Sequence, residues 1–152
     1  MNKQNLPKLS QTQQAIINSP ITNQEIIDDL KKLKIGKTPG PDGISAGYYK
    51  YFLEQIINPF RDLLNLIIEG SKIPRTWTEA NITLIPKEEQ DPTLTKNYRP
   101  ILLLNNDYKK FTSILAERLK IILQEIIDQD QNGFLPKRQL KDNMRTMIDI
   151  LE

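Results

Sequence analysis

The sequence predicts an α+β fold that is predominantly helical, with one β-hairpin set among about five helices. Three observations carry that expectation. Apolar residues recur at helical spacing in several separate stretches. Two short β-rich runs, about 81–86 and 98–103, bracket a polar, turn-like segment. Hydrophobic residues make up 38% of the 152 residues and charged ones 26%, a balance that suits a chain with a packed core.

Residues 1–20 are polar, contain Pro7 and Pro20, and read as a lead-in with a short helix near Gln11 to Ile17. Residues 21–152 read as one domain. Its first firm helix begins at Thr22, because Thr22 with Glu25 makes a capping box in which each side chain accepts a free backbone N–H. Ile26, Leu30 and Leu33 share one face, and Gly36 suits the stop. Lys31, Lys32 and Lys34 run toward the C-terminal end, where cations favour the helix dipole. Lys37 to Gly43 follows, Lys-Thr-Pro-Gly-Pro-Asp-Gly, in which two prolines and two glycines forbid a helix. It is either a plain connector or a backbone cradle for phosphates flanked by lysine. From about Ser45 to Glu69 the pattern is helical again, with Pro59 expected to kink or split it. Tyr48, Tyr49, Tyr51 and Phe52 crowd its first half and read mostly as core or groove wall. After Trp77 come the two predicted strands, Asn81 to Pro86 and Tyr98 to Leu103; Pro100 confines the second to an edge or a bulge. A strong amphipathic helix spans about Asp107 to Ile127, carrying Phe111, Ile114, Leu115, Leu119, Ile122 and Ile126. A last helix starts near Asp142. Its Met144, Met147, Ile148 and Leu151 lack a visible packing partner, which leads us to expect a chain that continues.

Composition excludes much chemistry. There is no cysteine and no histidine, so disulfides, thiolate or imidazole zinc sites and histidine general bases are absent. Any metal would sit on oxygen ligands, as magnesium, manganese or calcium do. The net charge of +2 does not announce a nucleic-acid binder, so that case rests on local clusters. Neither a signal peptide nor a membrane-length apolar run is visible, and an intracellular chain, in cytoplasm or nucleus, is expected.

Five segments stand in order along the chain: Lys37 to Gly43, Ile82-Thr-Leu-Ile-Pro-Lys87, Asn97-Tyr-Arg-Pro-Ile101, Ile114-Leu-Ala-Glu-Arg-Leu119, and Asp130-Gln-Asn-Gly-Phe-Leu-Pro136 running into Arg138. Together, over about residues 20–152, they resemble the N-terminal half of the reverse transcriptase domain of LINE-type non-LTR retrotransposons. The resemblance implies that residues 21–152 are fingers and the start of the palm. It implies that Lys37, Gly40, Asp42 and Gly43 lie against the RNA template. Gly133 and Phe134 would line the template–nucleotide pocket, and Arg138 and Asn143 would contact template backbone or nucleotide. Lys87 and Arg99 would hold the incoming nucleotide across the hairpin. The chain departs from the family at Lys137, where glycine is usual, and at Leu102, where a small polar residue is.

Physical chemistry points the same way for Lys87 and Arg99. A triphosphate brings several negative charges into a partly dehydrated site. A lysine supplies a mobile point charge, and an arginine a planar fork that matches phosphate oxygens. The bland alternative is a pair of solvated surface cations.

The family's polymerisation chemistry needs two divalent metals, expected to be magnesium, on palm aspartates in a Phe-Asp segment and an aromatic-Ala-Asp-Asp turn. Neither motif occurs in this chain. Asp28-Asp29 reads as a solvated helix face, Glu88-Glu89 as loop charge, and Asp128 and Asp130 as a helix end without a partner strand. No catalytic residue and no resident cofactor are therefore assigned. The expectation is a polymerase fragment that is inactive alone and binds nucleic acid weakly or not at all. An RNA template and a DNA primer would be partners of the intact enzyme. Two alternatives are a non-catalytic nucleic-acid-binding module and a helical protein-interaction domain. Oligomeric state is not legible.

Overall fold

The structure, a computed structural model, describes residues 8–127 together with 141, 145 and 148. Its elements run in the order α1 (Gln11–Asn18), α2 (Asn23–Lys31), α3 (Ala46–Tyr51), α4 (Leu53–Ile68), β1 (Asn81–Pro86), β2 (Tyr98–Leu103) and α5 (Asn106–Ile126). This is the mostly helical α+β fold with one hairpin that the sequence predicts. The predicted final helix near Asp142 lies largely outside the described residues; Lys141, Arg145 and Ile148 are helical and exposed.

The chain divides into two compact units, Pro20–Ile114 and Met1–Ser19 with Leu115–Glu152. In the first, Thr22 caps α2 as expected: its side chain accepts from the Glu25 N–H, and Glu25 accepts from the Thr22 N–H at 2.8 Å. The helix ends at Lys31, short of Gly36. The Lys32 and Leu33 N–H groups reach back three residues, to Asp29 and Leu30, and tighten the last turn. Ile26 and Leu30 are fully buried, with Ile21, Tyr49, Ile57, Phe60, Leu64, Trp77, Phe111 and Ile114 as further core residues of the unit.

Two expectations about the next stretch are corrected. The break falls at Phe52 rather than at Pro59, and α4 runs through Pro59 as one helix. Phe52 leaves the helical region (φ −103°, ψ 22°), yet its carbonyl accepts from Gln55 and Ile56, so the chain ends one helix and starts the next on a single residue. Pro59 removes one backbone donor, a cost of about 3 kcal/mol in a helix interior. Burial of Ile57, Phe60 and Leu64 on either side, at roughly 1.5–3 kcal/mol each, outweighs it. The core share of the aromatic group is also smaller than expected. Tyr49 is buried, while Tyr48, Tyr51 and Phe52 are exposed.

A third correction concerns Asp29. It is 3% exposed rather than solvated, in an ion pair with Lys110 Nζ at 2.8 Å, and its other oxygen accepts from Ser113 Oγ at 2.6 Å. This buried pair joins α2 to the start of α5. Asp28, its neighbour, is the solvated member and bonds Lys31.

In the second unit, Ser10 caps α1 with Gln13 in a reciprocal capping box. Arg118, buried on α5, donates to the Ile17 carbonyl at 3.2 Å and the Ser19 carbonyl, satisfying the backbone where α1 ends. Ile122 is buried here.

Candidate functional site

The hairpin is the element that carries Lys87 and Arg99. β1 and β2 pair antiparallel with Ile85 opposite Arg99 and Pro86 opposite Tyr98. Side chains alternate between faces, so Arg99 shares a face with Ile85. Lys87, two residues beyond Ile85, follows on the same side. Its N–H donates to the Asn97 carbonyl at 2.7 Å, which extends the ladder one step past the strands. The two cations are therefore diagonal neighbours across the hairpin. With Glu88 and Gln90 they line an open cleft of about 460 Å³.

The loop between the strands is ordered by its own hydrogen bonds. Asn97, buried, donates to the Asp91 carbonyl at 2.8 Å, and Tyr98 Oη donates to the Pro92 carbonyl at 2.9 Å. The Asp91 carboxylate accepts from both the N–H and the hydroxyl of Thr93, and those bonds hold its pKa below the usual carboxylate value. Glu89 takes a left-handed turn (φ 59°). Lys87 Nζ donates to the Lys96 carbonyl at 2.9 Å, which leaves two of its three N–H bonds for a ligand. The Arg99 guanidinium makes no hydrogen bond or ion pair with the described residues.

The loop at 37–43 is built differently. The Gly43 N–H closes a turn onto the Gly40 carbonyl at 3.1 Å, and Gly43 has φ +71°. Asp42 is turned inward: Oδ1 accepts from the Ile44 N–H at 2.9 Å. Gly40 is buried against the chain just after β2, where a Cβ would strike Asn105 and lie 2.6 Å from the Leu104 carbonyl carbon. Lys37 is exposed and has no partner among the described residues. Gly133, Phe134, Arg138 and Asn143 lie outside the described residues.

Sequence reasoning missed the residues that hold this loop. Asn105 is 1% exposed; its Oδ1 accepts from the Asp42 N–H at 3.2 Å and its Nδ2 donates to the Thr76 carbonyl at 2.9 Å. Asn106 Nδ2 donates to the Ile44 carbonyl at 2.8 Å, and Asp107 accepts from Trp77 Nε1 at 2.7 Å. Three consecutive short polar residues after an apolar run were the available signal. No grouping of three or more acidic side chains placed to share a metal ion occurs among the described residues. None of their helices is long and apolar enough to cross a membrane.

Similar proteins exist. A transposon TX1 uncharacterized 149 kDa protein of Xenopus laevis is 32% identical over 146 residues, 96% of this chain and 11% of that protein. A probable RNA-directed DNA polymerase from transposon BS of Drosophila melanogaster is 31% identical over 117 residues, 76% of this chain and 13% of that protein. The RNA-directed DNA polymerase from mobile element jockey of the same species is 27% identical over 101 residues, 66% of this chain and 11% of that protein. The chain thus spans about a tenth of the length of the curated relatives it matches. No family model matches it.

Proposed function

Because the chain belongs to the RNA-directed DNA polymerases of non-LTR retrotransposons, we propose that it is the part of such a polymerase that grips nucleotide and template and that makes no bonds itself. The observation that carries this is the cleft at the loop end of the hairpin, lined by Lys87, Glu88, Gln90 and Arg99. Lys87 and Arg99 meet there on one face, the guanidinium uncommitted and the ammonium partly so. A triphosphate in the cleft would take the fork of Arg99 on two phosphate oxygens and two N–H bonds from Lys87. The tethered loop gives these donors a fixed origin, which lowers the ordering cost of binding.

The second contact is the loop at 37–43. Lys37 and the outer backbone of the turn face the template phosphates, while Gly40 and Asp42 shape the loop from inside. On this reading residues 21–152 are fingers with the start of the palm. Gly133, Phe134, Arg138 and Asn143 continue the template and nucleotide path. Magnesium belongs to the intact polymerase, where it would activate the primer hydroxyl and neutralise phosphate charge. The residues described here supply binding and orientation. RNA template and DNA primer are the partners, held weakly by this chain alone.

The test has two arms. With primer–template, nucleotides and magnesium, the purified chain is expected to give no extension product, and clear extension would refute the non-catalytic assignment. Nucleoside triphosphate binding, read by calorimetry, should weaken about tenfold or more in the Lys87→Ala/Arg99→Ala double variant. Unchanged binding would remove both from the site.

A further inference from the structure

We propose that Asn105 is a positioning residue: it fixes the loop at 37–43 on the base of the hairpin, so that Lys37 and Arg99 meet one nucleic-acid ligand in a set relation. The inference rests on the loop being the template contact. Asn105 stands two residues beyond the end of β2 and immediately before α5. Both halves of its amide are used, the oxygen by the Asp42 N–H and the nitrogen by the Thr76 carbonyl. Gly40 packs on the backbone of the same junction, where a Cβ would come 2.5 Å from the Asn105 nitrogen.

The loop is stiff within itself. Pro39 and Pro41 fix two φ angles, the Gly43-to-Gly40 bond closes the turn, and Asp42 ties down Ile44. A stiff loop held through Asp42, Gly40 and the adjoining Ile44 on the Asn105–Asn106 junction is oriented by that junction. The attachment is a short amide, and the chemistry allows little else. Aspartate would accept from Asp42 but could not donate to Thr76; leucine would leave the Asp42 N–H and the Thr76 carbonyl without these partners in a partly buried place. Because Asn105 follows β2 directly, the loop is referred to the strand that carries Arg99.

The experiment uses the full chain and a fluorescein-labelled RNA–DNA hybrid with a single-stranded RNA overhang, with affinity read by anisotropy across a potassium chloride series. A lysine on a phosphate contributes about one to the slope of log affinity against log salt. Lys37→Ala should therefore lower the slope by about one in the native chain. Asn105→Ala, and Gly40→Ala from the other side, should each lose the same increment while circular dichroism and the emission of the single tryptophan show a folded chain. Adding Lys37→Ala to either should lower the slope no further. Should Asn105→Ala fail to fold, Asn105→Ser and Gly40→Ala serve in its place. A folded Asn105 variant that keeps the native slope, and in which Lys37→Ala still removes about one, overturns the inference. A native chain whose slope is indifferent to Lys37→Ala overturns the template reading itself and takes the inference with it.

Discussion

Asp29 and Lys110 show how much one residue can hide from its sequence context. Asp28-Asp29 stands between Ile27 and Leu30 and looks like a charged helix surface. Only the position of α5 makes Asp29 the inner member, because the partner lies 81 positions away along the chain, at Lys110. A buried pair contributes little net against an apolar substitute, but breaking it strands a charge. Lys110→Met should therefore destabilise the chain by about 3–5 kcal/mol in urea unfolding. The Asp29→Leu/Lys110→Met double variant should recover most of that; additive losses would contradict the account. Tyr49 gives a second residue-scale expectation. Burial, and then the carboxylates of Asp107 and Asp42, raise its phenol pKa far above the ordinary 10.0. A raised folded value means stability that is complete below the unfolded pKa and is lost as pH climbs above it. Stability should thus fall from about pH 10 upward, and absorbance titration at 295 nm should show one of the five tyrosines ionising only with unfolding. Full tyrosine ionisation in a folded chain would refute this. Gly40 carries a related lesson: its need for space against Asn105 is invisible in the sequence, where Gly40 and Gly43 look alike, yet only Gly43 has a positive φ.

At the scale of elements, legibility follows locality. The two strands were legible to the residue because alternation, proline and the polar loop are local signals. α5 and the Thr22 cap were legible for the same reason. The end of α2 and the break at Phe52 were not: the first comes before Gly36 and the second before Pro59, and Tyr49 and Phe60 pack against each other across the break. Arg118 belonged to a recognised segment, but its work of capping the carbonyls where α1 ends depends on contacts about a hundred residues apart. Pro59 offers the test. It is an exposed proline in a helix that forms despite it. Pro59→Ala should restore a donor for the Gln55 carbonyl and relieve the ring clash, adding up to about 3 kcal/mol of stability. A loss of stability in a thermal melt would mean that the proline shapes α4 in a way its neighbours require.

For the whole molecule, the hairpin is the part least accounted for by its own contacts. Both of its strands are edges, and apolar side chains stand exposed on both faces. Ile82 is 66% exposed, and its direct partner Leu102 is 61%. They share a face with Leu84, which is 60% exposed. An apolar ribbon with two open edges recruits other chains, because its outer backbone groups and exposed side chains lack partners among the described residues. The Arg99 face is less apolar, which fits its proposed work on a charged ligand. Self-association is therefore expected to rise steeply with concentration and to be driven by the Ile82 face. Ile82→Thr/Leu102→Thr places β-branched residues suited to a strand at both positions while removing apolar area. It should leave the melting temperature within a few degrees, because both side chains are exposed, and shift sedimentation equilibrium toward monomer. It should also leave triphosphate binding intact, because Lys87 and Arg99 occupy the other face. A double variant that associates as before would place the sticky surface elsewhere, with the exposed Tyr51 and Phe52 next in line. A variant that loses nucleotide binding without unfolding would show that the two faces of the ribbon are not independent.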